Sequence, residues 1–292
     1  MPITPEQLAE RKNHLGASDM AAVMGVDPYR TGYDVWLEKT ERIIDVEIKD
    51  KRKSVMSAGN YFENGVLDFA EEELGKLNRN VTLSLPGTAL VSNLDAALVD
   101  SGVPVEAKTV GLFGPVAEWW GDEGTDQVPD RVIVQCHVQM LCAVKDRAHV
   151  AAFIGGRGFA LFNIFHSPAL AEVILKSADE FWAKNVQADT PPTNSTASLQ
   201  IVKRIRREAE KVVEIDRELV QKYLDADLRL RSAEEEQEEA KARVIQALGD
   251  AEAGACGELG AVTYYQQHRK ETVQKACAFR VLRYTKKGLK RS

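Results

Sequence analysis

The chain of 292 residues has no apolar run approaching the roughly 20 residues that a membrane-spanning helix requires. Its first eleven residues lack the apolar core of a secretory leader, so a cytoplasmic location and no membrane partner are expected. Cysteines are few: Cys136, Cys142, Cys256 and Cys277 form no CxxC pair and no Cys/His cluster. That spacing excludes the usual zinc and iron–sulfur frameworks, and the four are expected as reduced, buried thiols. An excess of positive charge is also missing, because 38 Lys and Arg face 44 Asp and Glu, a formal net charge of −6. A protein that holds nucleic acid through a general positive field is thereby excluded. Local basic clusters remain at residues 49–53 and 203–207; each alone reads first as a solvated surface, with a phosphate contact as the alternative.

What is present is a chain of ordinary hydrophobic content, 44%, long enough for a sizeable core and an appendage. Short helices are expected over residues 20–24, after the start signal Gly16–Ala17–Ser18–Asp19, and over residues 33–40. Residues 59–74 place apolar side chains at helical spacing, and Gly75 stops them. Two β-prone stretches follow, 89–95 and 103–110, separated by the turn formers Asp100–Ser101–Gly102. Residues 111–128, rich in glycine and acid but containing Trp119 and Trp120, read as an ordered lid. Pro129 suits the first turn of a buried helix running to about residue 145. A hairpin is expected around residues 155–158, and Ser167–Pro168 opens a helix that reaches about residue 186. Prolines and small polar residues at 189–198 mark a boundary. Beyond it, residues 201–248 carry apolar side chains from Ile215 to Leu248 at three- and four-residue steps, as in one long helix or a helical hairpin whose charged faces suit protein contact or self-association more than chemistry. Short strands near 261–266 and 279–284 complete the reading.

The residues that carry chemistry are Asp95 and, after a ten-residue gap, Glu106–Ala107–Lys108. On a strand, Glu106 and Lys108 point to the same side because side chains alternate with period two. Asp95, at the end of the neighbouring strand, can meet them there. Two carboxylates about 4 Å apart repel by about 4 kcal/mol at an effective dielectric of 20, so their convergence makes sense around a cation. Hard oxygen ligands favour Mg²⁺, with Mn²⁺ as a substitute. Such an ion would assist in-line displacement at a phosphate, with Lys108 orienting or helping to deprotonate the attacking water. Glu63 shares a helical phase with Leu67, Ala70 and Leu74, and reads as a salt-bridge partner or a third acidic group of the site. Gln135 lies on the buried helix with Val132, Gln139 and Cys142, either as a core hydrogen bond or as a holder of Glu106, Lys108 or the water. Near the start of the chain, Arg11 and Ser18 are candidates for a phosphate pocket, although Ser18 also reads as a helix cap.

Five blocks assemble these residues in order: LGASDMAAVMGVDPYRTGYDVWLEKT, GNYFENGVLDFAEEELG, NLDAALVDSGVPVEAKTV, VPDRVIVQCHVQMLCAV and VAAFIGGRGFALFNI. Together they resemble the YqaJ-like viral recombinase and phage lambda exonuclease family, within the PD-(D/E)xK nuclease superfamily. The resemblance spans roughly residues 11–164 and implies an active site of Glu63, Asp95, Glu106, Lys108 and Gln135. It also implies metal held by Asp95, Glu106 and the Ala107 carbonyl, and a terminal 5′-phosphate held by Arg11 and Ser18. Enzymes of this kind resect double-stranded DNA from 5′ ends, leave 3′ single strands for an annealing protein, and often form homo-oligomeric rings.

The expected architecture is α/β: a PD-(D/E)xK restriction-endonuclease-like core, with a mixed sheet flanked by helices, over residues 1–190. A linker and long helix or hairpin follow over 191–248, and a β-containing tail over 249–292. The expected activity is Mg²⁺-dependent digestion of DNA from 5′-phosphorylated ends. The rival readings are a structure-specific endonuclease using the same site and a catalytically silent DNA-binding or assembly protein.

Overall fold

The computed structural model describes residues 11–43, 50–111, 120–193, 195–197, 199–205, 207 and 211–266; the side chains of Arg11 and of residues 50–58, 60, 199 and 200 fall outside that description. Contacts divide the chain into Met1–Ala209 and Glu210–Ser292. No helix among the described residues is long and apolar enough to cross a membrane.

The first unit is built on a six-stranded mixed sheet. Its strands are β1 (Leu15–Gly16), β2 (Leu77–Ser84), β3 (Leu90–Leu98), β4 (Pro104–Val110), β5 (Arg147–Ile154) and β6 (Gly158–Phe165). The helices are α1 (Ala17–Val23), α2 (Gly32–Lys39), α3 (Asp50–Leu74), α4 (Asp130–Ala143), α5 (Pro168–Phe181) and the single turn α6 (Leu199–Val202). Register shows how β3 is shared. Val91 pairs with Gly16 of β1 and with Ser84 of β2, while Ala96 pairs with Arg79 of β2 and with Val105 of β4. One edge of β3 is therefore occupied by β2, and the other is divided between β1 at its start and β4 near its end. The β3–β4 ladder is only two pairs long, Ala96 with Val105 and Ala97 with Pro104, after which the strands part. From there β4 runs parallel to β5 through Val110–Ile154.

That parallel ladder sorts the side chains. Glu106, Lys108 and Val110 lie beside Val150, Ala152 and Ile154, the face on which Val132, Cys136 and Met140 of α4 pack. Val105 and Ala107 lie on the opposite face with Ala151, under Val66, Leu67 and Ala70 of α3. The sheet is thus covered by α3 on one side and α4 on the other, and a third apolar cluster joins α1, α2, α4 and α5.

Several ends are set by local chemistry. Thr31 and Asp34 form a reciprocal capping box, the Thr31 hydroxyl accepting from the Asp34 N–H (3.2 Å) and the Asp34 carboxylate from the Thr31 N–H (3.1 Å). Pro129 precedes α4, and Ser167 caps α5 with Pro168 at its first position. The α5 helix loosens into a π turn over Trp182–Gln187, so the regular helix ends before the expected residue 186.

The structure departs from the sequence reading at several points. Strand β2 was not expected: its inner residues alternate with Asn78, Asn80 and Thr82, and Asn80 takes a left-handed φ of 58°. The α3 helix starts at Asp50, earlier than residue 59. The first unit runs to Ala209, beyond the boundary placed at 190. Segment 189–205 is tied to the core by the Tyr33 N–H donating to Ser195 Oγ (3.0 Å), the Arg42–Asp189 ion pair and buried Ile201. Of the lid, residues 112–119 lie outside the description. Trp120 is buried against Phe162, and Arg157 donates to the carbonyls of Trp120 (2.7 Å) and Gly121 (2.6 Å). Cys136 and Cys142 are buried thiols, but Cys256 is exposed; Cys277 is not described.

In the second unit, a single helix, α7 (Arg217–Leu248), replaces the hairpin alternative and begins well after residue 201. A small hairpin follows, β7 (Ala253–Ala255) pairing with β8 (Ala261–Thr263). The strand expected at 279–284 lies outside the described residues.

Candidate active site at the parting of two strands

Where β4 leaves β3, the Ala107 N–H has no ladder partner and donates instead to Asp95 Oδ2 at 2.8 Å. Within a strand the N–H and C=O of one residue point to the same edge, so the Ala107 carbonyl is turned toward the same gap. The Val110 carbonyl, an odd number of residues further on, accepts from Gly155 on the other edge, as this alternation requires.

On the α4 side of β4, Glu106 is buried, with 2% of its surface exposed. A carboxylate in that position needs every acceptor used. Its Oε1 accepts from Gln135 Nε2 (2.6 Å) and from Lys108 Nζ, and its Oε2 accepts from Gln139 Nε2. Gln135 Oε1 in turn accepts from Lys108 Nζ at 3.1 Å. Because an ammonium only donates and a carboxylate only accepts, the Gln135 amide has one orientation that satisfies both. Gln135 and Gln139 stand four residues apart and therefore share a face of α4.

The charges of this group act on one another. Burial and the Glu106 carboxylate push the Asp95 carboxyl up to about 8, and Glu63 of α3 adds to the rise while Lys108 opposes it. Burial alone would lower Lys108, but Glu106 and Asp95 outweigh it and hold the ammonium above its ordinary range. The buried Cys136 thiol is raised by burial and by the same carboxylates, which keeps it protonated and unreactive. Asp95 is thus under-compensated, the state in which a carboxylate gains most from an added cation. Among the described residues no three His, Cys, Asp or Glu side chains stand together as a ready metal cluster. The donor set that fits a hard divalent ion is Asp95, Glu106 and the Ala107 carbonyl, all oxygen.

The structure therefore brings Asp95, Glu106, Lys108 and Gln135 together, while Glu63 of α3 stands close enough to act on the Asp95 charge without joining their hydrogen bonds. Glu63 is half-buried, and among the described side chains of its helix Val66, Leu67 and Ala70 are the fully buried ones. Gln139, noted in the sequence only as a neighbour of Gln135 on the same face, proves to hold Glu106 directly. Ser18 is half-buried in the first turn of α1 and is not its cap; Gly16 takes the N-cap, its N–H donating to Asp19 Oδ2 at 3.0 Å. Asp19 is itself a buried junction, accepting from Arg30 (3.0 Å) and Lys39 (2.7 Å) and linking α1 to α2. Nothing in the local sequence marks that role.

Comparison with known proteins agrees with the resemblance read from the motifs. Residues 6–146 match the model of the YqaJ-like viral recombinase domain. That span includes Arg11, Ser18, Glu63, Asp95, Glu106, Lys108 and Gln135, and over it the chain is similar to that domain. An uncharacterized protein of Bacillus subtilis (strain 168), YqaJ, is 26% identical over 264 residues, covering 86% of this chain and 80% of its own. Among solved structures, an alkaline exonuclease from Laribacter hongkongensis overlaps 64% of this chain and 94% of its own at 16% identity, with a TM-score of 0.49. A phage-related exonuclease from Haemophilus somnus 129PT overlaps 61% of this chain and 96% of its own at 9% identity, with a TM-score of 0.42.

Proposed function

We propose that the chain is a metal-dependent deoxyribonuclease that degrades double-stranded DNA from 5′-phosphorylated ends, leaving 3′ single strands for recombination of the phage type. The observation that carries this reading is the convergence of Asp95, Glu106, Lys108 and Gln135 where β3 and β4 part. Asp95, Glu106 and the Ala107 carbonyl would hold Mg²⁺, or Mn²⁺ in its place. When bound, such an ion supplies Lewis-acid stabilisation of the charge that builds on the phosphate, and a more acidic water.

The chain's own residues do the rest. Gln135 and Gln139 fix the Glu106 carboxylate so that its position does not depend on substrate. Lys108 keeps its proton under the influence of Glu106 and Asp95, which suits it to orient the attacking water and offset developing negative charge. Glu63 adds a third carboxylate on the α3 side. Arg11 and Ser18 would hold the terminal 5′-phosphate, the role that the resemblance of the sequence motifs implies for them. An annealing protein and a homo-oligomeric ring are the partners that fit this activity.

The test is digestion of linear, nicked and covalently closed circular DNA, with and without chelator, by the wild type and by Glu106→Gln. Linear DNA with a 5′-phosphate is expected to be degraded about 10-fold faster than DNA with a 5′-hydroxyl, the scale of one lost charge-assisted bond. Chelation or Glu106→Gln is expected to abolish degradation. Cutting of closed circles would move the assignment to an endonuclease, and no metal-dependent cleavage of any substrate would remove it.

A further inference from the structure

The α7 helix has 32 residues, about 48 Å of rod, and buries none of them fully. Along one face, eight apolar residues and Gln237 nevertheless keep strict order. Leu219, Tyr223, Ala226, Leu230, Ala233, Gln237, Ala240, Val244 and Ala247 follow steps of four and three over four heptads. In heptad notation the d positions are Leu219, Ala226, Ala233, Ala240 and Ala247, and the a positions are Tyr223, Leu230, Gln237 and Val244. A period of 3.5 sustained over this length belongs to a coiled coil rather than to a helix packed on a globular core. Yet this stripe faces solvent: Leu219 is 61% exposed, Leu230 58% and Val244 44%. The half-buried residues of the helix, among them Val220, Leu224 and Ile245, lie off it.

The flanking charges say what fits there. Lys222, Arg229 and Glu236 occupy g positions, and Asp227, Glu234 and Lys241 occupy e positions. In a parallel, in-register pair each g residue faces the e residue five positions on in the other chain. Those pairs are Lys222 with Asp227, Arg229 with Glu234, and Glu236 with Lys241, all of opposite sign. The antiparallel alignment that overlaps the stripe most fully instead sets Lys222 against Arg243 and Asp227 against Glu234, both of like sign, with Arg229 against Glu236 as its one pair of opposite sign. Gln237, the polar a residue, meets its own copy only in the parallel register, where two amides can satisfy each other.

We propose that α7 is a dimerisation helix whose partner is a second copy of this chain, paired parallel and in register through the Leu219–Ala247 stripe. Asp227 is also held by Arg231 within its own helix at 2.7 Å, so its interchain pair competes with a local one. The small d residues bring the helices close and bury little surface each, which makes the pairing dependent on concentration and sensitive to the e and g charges. This inference is independent of the activity of the first unit.

The test uses the full chain with Cys256→Ser and Cys277→Ser and one added cysteine. Ala240→Cys places a thiol at a d position far from the centre of the stripe, and Ala242→Cys places one at an outward f position. Under mild oxidation Ala240→Cys is expected to form covalent dimers about 10-fold faster than Ala242→Cys, because only the former has its own copy adjacent. Adding Lys222→Glu with Arg229→Glu should abolish coupling at 240, as should adding Asp227→Lys with Glu234→Lys. Mixing those two charge variants should restore it, since every e–g pair is then again of opposite sign. Coupling no faster at 240 than at 242, or no recovery on mixing, would overturn the proposal.

Discussion

Replacing Asp19 by Asn tests the buried junction that fixes α1 against α2. Asp19 is 6% exposed and accepts from Lys39, whose side chain is 5% exposed, from Arg30 and from the Gly16 N–H. Burial pushes its carboxyl up, but Lys39 and Arg30 prevail and hold it at about 2 against an ordinary 3.8. At roughly 1.4 kcal/mol per pH unit, that difference corresponds to about 2 kcal/mol of stability at neutral pH. The contribution is complete above pH 3.8 and disappears as pH falls toward 2, because the unfolded chain takes up the proton first. Asp19→Asn forfeits it and leaves a buried ammonium without its carboxylate, so the loss should reach about 3 kcal/mol or more. Urea unfolding of both proteins, followed by circular dichroism, gives the difference directly. A loss below about 1 kcal/mol at pH 7, or a variant whose stability between pH 4 and 2 falls as steeply as the wild type, would refute the argument.

Lys108→Ala should lower turnover by about 10²-fold or more with little change in DNA affinity, measured in single-turnover digestion; weak binding with normal turnover would make Lys108 a phosphate contact. Gln139→Met keeps the volume and removes the amide that holds Glu106 Oε2, so turnover should drop about 10-fold. Stability should also fall, by about 1–3 kcal/mol, because the buried Glu106 Oε2 loses its donor, a loss only partly offset by removal of Gln139 Oε1, itself buried without a hydrogen-bond partner; an unchanged turnover would show that Gln135 suffices. His137 donates from Nδ1 to the Ile133 carbonyl (2.9 Å) and accepts at Nε2 from the Ser167 N–H (3.1 Å), so ionisation would break the second bond. Burial holds its pKa below the ordinary 6.5, and stability should decline as pH falls through that value. His137→Phe should lose that part of the decline in urea titrations at about pH 7.5 and 5.5, and an identical decline would assign it elsewhere.

The sequence by itself determined the parts that depend on local periodicity. Glu106 and Lys108 had to share a strand side, Gln135 had to lie on a mostly apolar helix, and Gly75, Pro129 and Ser167–Pro168 had to punctuate the helices. Each follows from the few residues around it. The heptad order of α7 is equally local, although its exposure is not. Tertiary structure decided what joins segments distant in the chain. The parting of β3 and β4 that frees the Ala107 N–H for Asp95 arises because β1 and β4 divide one edge of β3, a competition no single segment contains. Gln139 became a holder of Glu106, and Asp19 a junction for Arg30 and Lys39, because packing placed those partners within hydrogen-bond reach; their side-chain types are common in solvated positions too. Strand β2 was hidden for the same reason, since Asn78, Asn80 and Thr82 are compatible with a loop until β3 supplies the ladder in which Asn78 and Thr82 pair.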